Sequence, residues 1–357
     1  MAAGACEQTP SLGAMRMNVA SSVMTLAAFC LCLAATSASA VTVDWVTIGN
    51  PGNANDATGY GSANYSYKIG KYEVTIGQYA EFLNAAAKTD RYGLYAPRMG
   101  TVGEIAGIAR SGTSGAYSYS VIGPFATVQI PQATAAERPI QIENWFNAAR
   151  FANWMQNGQG TGDTETGAYT LVGGQMGGTA PAKNPGAQFY IPTDDEWYKA
   201  AYYSPVKGGA GKPGYYKYAT QSDAAPGNTV GSASNQANYG KDGMFSVGAG
   251  SRNLLTNVGA FSGSRSFYGT FDQSGNAWEW TDLTGVASVN RGLRGGGIFF
   301  FGDSAYSFNV VSASINISDD AMGFRLAAPV PEPSTYAMAV AGLACGGYSM
   351  FRRRKRD

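Results

Sequence analysis

The chain reads Gly269-Thr-Phe-Asp-Gln-Ser-Gly-Asn-Ala-Trp-Glu-Trp280, then Arg291-Gly-Leu-Arg-Gly-Gly-Gly297, then Gly323-Phe-Arg-Leu-Ala327. Trp278 and Trp280 flank Glu279, so a carboxylate is set between two large apolar anchors. Two glycine-rich turns and three arginines follow within one unit, a run too specific for a generic surface loop. Arg291, Arg294 and Arg325 have two readings. A planar fork of donors suits an anionic ligand, and it equally suits tying tight turns together through carbonyls and carboxylates.

Composition narrows the chemistry. Hydrophobic residues make up 45% of the 357 and charged ones 14%, which fits a globular body with apolar segments rather than a disordered chain. With 48 glycines and 22 tyrosines, the chain reads as loop-rich, with aromatic rings supplying much of the core. Histidine is absent, which removes the commonest general base and the usual ligand for zinc, copper and non-heme iron. The four cysteines are Cys6, Cys30, Cys32 and Cys345, all in terminal segments. The body between therefore has neither thiol nor disulfide and relies on burial, with bound ions as a possible aid. Setting aside Arg16 and the five basic residues of 352–356, and Glu7 and Asp357, leaves 19 basic against 22 acidic side chains. A slightly acidic body offers no basic stripe for nucleic acid.

Both ends read as addresses. Arg16, an apolar run from Val19 to Ala35 and Ala38-Ser39-Ala40 form a secretory signal peptide over residues 1–40, cut after Ala40, with Met15 or Met17 as alternative starts. At the other end stand Val330-Pro-Glu-Pro-Ser-Thr, an apolar run from Tyr336 to Phe351 and a basic cluster. The run is shorter than the ~20 residues of a full membrane span, and its basic end would stay on the cytoplasmic side. This three-part tail, 329–357, resembles the PEP-CTERM sorting signal. The resemblance implies transient inner-membrane insertion, processing by an exosortase, and delivery to the surface or matrix of a Gram-negative bacterium that makes exopolysaccharide.

Between the ends the spacing predicts an irregular, loop-rich α+β body over 41–328. Tyr65 to Thr75 begins as a strand, then Thr75 and Gln78 form a capping box. Tyr79, Phe82, Leu83 and Ala86 recur at helical spacing and face the core. A second helix follows Asn144 with Ala148, Phe151, Ala152 and Met155 on one face, and a third follows Thr193 and Glu196, another capping box. Asp194, Asp195 and Glu196 read as acids complementing that helix's dipole. The intervals 96–139, 156–188 and 204–256 read as long loops.

Ile69-Gly-Lys-Tyr-Glu-Val-Thr75, Phe151-Ala-Asn-Trp154 and Ile191-Pro-Thr-Asp-Asp-Glu-Trp197, taken in order with the C-terminal blocks, resemble the formylglycine-generating enzymes, or sulfatase-modifying factors. The resemblance implies a compact α+β fold related to C-type lectins. It also implies structural calcium at Asp272, the Gly275 and Ala277 carbonyls and Glu279. A second site would use Asn238, the Tyr239 carbonyl and Asn257, where the family's aspartate is replaced. The alternative leaves Asp272 capping a turn and Glu279 paired with Arg294. Family members that oxidise cysteine use a cysteine pair just after the Arg-Gly-Gly turn, and here Phe299, Phe300 and Phe301 stand in that neighbourhood. The iron branch needs histidines. The sequence therefore predicts neither copper nor iron and no catalytic residue, with Arg294 and Phe300 as candidate ligand-binding residues. The leading expectation is a catalytically silent domain at the cell surface that binds exopolysaccharide or a surface protein. The alternatives are an oxidoreductase with an unrecognised metal site and a structural biofilm matrix protein.

Overall fold

The chain, seen here as a computed structural model, is described for residues 40–330 apart from 102, 104, 124–134, 142–143, 175–176, 242–243, 248–253, 300–306, 308, 316 and 318–321. The leader up to residue 39 and the sorting tail from residue 331 onward lie outside the described residues. In chain order the elements begin with β1 (Trp45–Ile48), β2 (Tyr67–Gly70), α1 (Ile76–Ala86), α2 (Arg98–Thr101), β3 (Ile108–Ser111) and β4 (Ser118–Val121). They continue with α3 (Trp145–Gln156), α4 (Asp194–Tyr202), β5 (Tyr203–Ser204) and β6 (Gly214–Tyr215). The last are β7 (Trp278–Thr281), β8 (Asn290–Arg294), β9 (Val311–Ser314), β10 (Met322–Gly323) and β11 (Ala327–Pro329).

Local chemistry starts each long helix. The Thr75 hydroxyl accepts from the Gln78 amide at 3.2 Å while Gln78 Oε1 takes the Thr75 amide at 2.9 Å, so two otherwise orphaned donors are satisfied where α1 begins. Thr193 and Glu196 repeat the arrangement at α4, and Asn144 Oδ1 accepts the Asn147 amide at 2.9 Å to open α3. Tyr79, Phe82 and Leu83 of α1 are buried as their spacing predicts. Ala86 is only half-buried, and the helix hands its last core contact to Ala87. Every residue of α3 from Trp145 to Met155 is buried, so α3 is a core helix and its polar face meets protein too. Phe82 lies 5.4 Å from Phe151 and 5.3 Å from Trp154, ring to ring.

A sheet ordered β1-β2-β11 joins the two ends of the body, pairing Trp45 with Gly70 and Ala327 with Ile69. A second sheet, ordered β10-β7-β8-β9, carries the blocks quoted first, with β10 parallel to β7. All four residues of β7 are buried, so both faces of that strand are covered. The interval 96–139, read from sequence as loop, contains α2 and the antiparallel β3–β4 hairpin turning at Gly112 to Gly115. Its short strands alternate only weakly in hydrophobicity, which is why periodicity passes over them.

Candidate functional site

Side chains alternate along a strand, so Glu279 leaves β7 on the face opposite Trp278 and Trp280. There it meets Arg325, placed just after β10. The fork is bidentate, Nε to Oε2 at 2.5 Å and Nη2 to Oε1 at 2.6 Å. The Trp197 indole donates to Oε2 at 2.7 Å. Arg325 spends its other donors on the carbonyls of Gly70 and Phe271, at 3.0 and 2.9 Å. One ion pair thus clamps both sheets and α4.

Arg294 departs from the sequence reading. Its partner is Asp194 rather than Glu279, with Nε to Oδ1 at 2.8 Å and Nη2 to Oδ2 at 2.6 Å. Nη1 donates to the Ser307 carbonyl, and the guanidinium lies over the rings of Tyr60 and Tyr198. Glu279 and Arg294 are backbone partners across β7 and β8, but directly opposed residues need not pair when better-aimed partners stand above and below the sheet. Arg291 pairs with Asp282 at 2.8 Å and stacks on Trp145. All three arginines are wholly buried, so none of them, Arg294 included, presents a fork to an outside ligand. The acids at the start of α4 also do more than complement a dipole. Asp194 anchors Arg294, Asp195 accepts the Gly61 amide at 2.8 Å, and Glu196 closes the cap while accepting the Tyr65 and Tyr190 hydroxyls. Phe300 lies outside the described residues, and Phe299 is part-exposed against Phe245.

Beside the Glu279–Arg325 pair stands a residue that sequence reasoning passed over. Glu73 is buried, and no other described residue donates to either carboxyl oxygen. Burial, then the negative charges of Asp272 and Glu279, hold its carboxyl well above the ordinary carboxylate range, against a weaker opposing pull from Arg325. Asp272 accepts the Gly259 amide at 2.6 Å through Oδ2, and burial pushes its carboxyl up to about 6. Three carboxyls thus share one guanidinium. Nothing in Ile69 to Thr75 marked Glu73, because an unpaired acid in a strand-like run looks like a solvated one.

Among the described residues, no three acidic, histidine or cysteine side chains converge as a metal cage. A hard cation here would draw on carbonyl and amide oxygens, which suits calcium. Two observations fit that donor set. Glu73, which feels the charge of Asp272, is a buried acid whose side-chain oxygens accept from no other described residue. Asn238 Oδ1 and Asn257 Oδ1 are buried acceptors to which no described residue donates. Glu279 is the poor fit, because Arg325 and Trp197 already engage both of its oxygens. Gly275 holds φ at +91°, and a Cβ there would stand 2.4 Å from the Asn238 carbonyl oxygen. Only glycine lets the loop of Asp272 come this close to the loop of Asn238.

Residues 53–330 match the model of the sulfatase-modifying factor enzyme 1-like domain, and residues 329–355 match the PEP-CTERM protein-sorting motif. No curated protein matches the sequence. Among solved structures, the crystal structure of CarF is similar at 18% identity and a TM-score of 0.44, covering 81% of this chain and 99% of its own. The Treponema denticola variable protein 1 is 20% identical with a TM-score of 0.44, covering 81% and 96%. PvdO from Pseudomonas aeruginosa is 14% identical with a TM-score of 0.39, covering 81% and 93%. The PEP-CTERM match marks the protein for exosortase processing and for the cell envelope or surface.

Proposed function

Since this chain belongs to the sulfatase-modifying factor enzyme 1-like family, we propose that it is a non-catalytic member which binds exopolysaccharide at the cell surface. One observation carries the reading: the body between residues 41 and 335 contains no cysteine and no histidine. Copper-dependent thiol oxidation needs soft thiolate ligands, and iron chemistry of the related branch needs imidazoles. No shift of pKa turns a phenylalanine into either. The arginines of the C-terminal blocks and the carboxylates they meet are buried against one another, as in Asp194–Arg294 and Glu279–Arg325. General acid–base catalysis requires a titrating group within reach of a substrate proton, and these groups face protein.

Binding has lighter requirements: a shaped surface, a rigid scaffold and the right address. The PEP-CTERM tail supports the address. Calcium, held at one site by Asp272 with the Gly275 and Ala277 carbonyls and at a second by Asn238, the Tyr239 carbonyl and Asn257, would supply positive charge that pins the long loops. In this reading it takes no part in a reaction.

The test pairs two measurements on the purified full chain. Incubation with a sulfatase-type cysteine peptide, copper and oxygen should leave the thiol mass unchanged, and the protein should co-sediment with exopolysaccharide from a PEP-CTERM-bearing bacterium. Copper-dependent loss of the peptide thiol would make this an enzyme. Failure to co-sediment would remove the binding half of the reading.

A further inference from the structure

Residues 50–57 and the β5–β6 hairpin enclose an open pocket of about 570 Å³, well within the ~300–1,000 Å³ of ordinary small-ligand sites. One wall is aromatic. The Tyr203 and Tyr215 rings stand 5.1 Å apart at 63°. The other wall presents the amides of Asn50 and Asn55, the Asp56 carboxylate and loop backbone.

The walls are preformed. The Asn53 side chain donates to the Gly61 carbonyl and to the Tyr215 hydroxyl, both at 2.6 Å, and accepts the Ala63 amide at 3.2 Å. The Tyr215 hydroxyl in turn donates to the Ala54 carbonyl at 2.7 Å. Asp56 is oriented by the Ala57 amide at 2.7 Å and the Tyr198 hydroxyl at 2.5 Å. Little ordering cost remains for a ligand to meet. One group is left unspent. Tyr203 is 6% exposed and lines the pocket, yet no described residue bonds to its hydroxyl.

The lining selects a ligand class. It holds one carboxylate and neither lysine nor arginine, so phosphate, sulfate or a uronate would enter against like charge with no fork to receive it. Lys199 lies behind the wall, but it is buried and its ammonium is committed to the Asn50 carbonyl at 2.9 Å. A purely apolar ligand would strip water from the amides and return no hydrogen bonds. A pyranose answers both walls. Its C–H face lies on an aromatic ring, and its hydroxyls, each donor and acceptor, meet the N–H donors of Asn50 and Asn55, whose Oδ1 atoms already accept from Tyr268 and Ser62, and the acceptor oxygens of Asp56.

We propose that the pocket formed by residues 50–57 with Tyr203 and Tyr215 is a subsite for a neutral sugar unit of the surface polysaccharide. The proposal rests on the binding role argued above and names where that role is performed.

The experiment titrates the full chain, in mild detergent, with neutral gluco-, manno- and galacto-oligosaccharides and with uronic-acid oligomers, by calorimetry. At least one neutral series should bind, and the uronates should bind more weakly. Tyr203→Phe, which removes one hydroxyl, should weaken binding about three- to tenfold. Ala54→Trp, a filling change at an exposed lining position, should abolish it while leaving the melting temperature unchanged. A neutral sugar bound equally well by both variants overturns the pocket and leaves the surface-binding role standing. Preference for the uronates overturns the charge argument and the proposal with it. No binding of any oligosaccharide or of whole exopolysaccharide overturns both.

Discussion

Replacing Glu279 by Gln tests whether the clamp between the two sheets is held by charge. The substitution keeps shape and one carbonyl oxygen, so the Trp197 indole retains an acceptor, but Arg325 loses its bidentate partner and keeps only the charge interactions with Glu73 and Asp272. Removing one partner of a buried pair costs about 3–5 kcal/mol, and the residual amide contact places Glu279→Gln near about 3 kcal/mol. For a body spanning residues 40–330, the usual unfolding entropy is about 0.6 kcal/mol per degree, so the melting temperature should fall about 5 °C. Domains have roughly 5–15 kcal/mol to lose, so the variant still folds. The companion variant Glu279→Leu with Arg325→Met should not recover the loss, because it also strands the Gly70 and Phe271 carbonyls and the Trp197 indole N–H that the pair satisfies. Thermal melts by circular dichroism, each with calcium and with EDTA, decide the matter. A loss below about 1 kcal/mol, or one that disappears in EDTA, would refute the ion-pair account; the second outcome would return Glu279 to a calcium ligand set.

Two further outcomes follow from buried polar groups. Chelation should lower the melting temperature of the full chain, by an amount equivalent to about 2.7 kcal/mol at a hundredfold excess of calcium over its dissociation constant. Asp272→Asn, which keeps the left-handed backbone at φ +62° that asparagine tolerates, should remove most of that response; identical melts with and without EDTA, and no calcium by elemental analysis, would end the calcium proposal. Burial lowers the Lys199 ammonium to about 8 from its ordinary 10.5. Between those values the unfolded chain binds more protons than the folded one, so this group makes wild-type stability rise with pH across the window. Lys199→Met should therefore be more stable than wild type below pH 8, by about 1–3 kcal/mol, with the gap closing toward pH 10.5 in urea titrations; a less stable variant at pH 7 would show that the ammonium earns its place through the Asn50 carbonyl.

What could be read from sequence was whatever acts locally. The capping boxes at Thr75 and Thr193 and the Asn144 cap are legible because a cap is a relation between residues three apart. The apolar spacing of α1 survives for the same reason. Long-range choices were not legible. Glu279 could have met Arg294 or Arg325, and the selection depends on which face of β7 the carboxylate leaves and on where β10 brings Arg325. Glu73 was invisible because its distinguishing property is the absence of a partner, which only three-dimensional packing reveals. The pocket at residues 50–57 was equally hidden, since its two walls are separated by about 150 positions and nothing in either segment announces the other.

The blocks that make the family recognisable here are the ones spent on the scaffold. Arg294 and Arg325 draw the eye in sequence because tight glycine turns bring them inward, and they are then consumed by Asp194 and Glu279. Gly292 accompanies them because a Cβ there would stand 2.2 Å from the Thr281 hydroxyl oxygen. Such residues report that the fold is kept, and a fold is compatible with many activities or none. Chemistry would have to come from reactive side chains on the loops, and the loops of this body offer amides, hydroxyls and aromatic rings but no thiol or imidazole. That set of groups is suited to holding a polyol by hydrogen bonds and ring contacts, and poorly suited to moving electrons. The scaffold blocks therefore establish the fold alone, and the function proposed above rests on the loops.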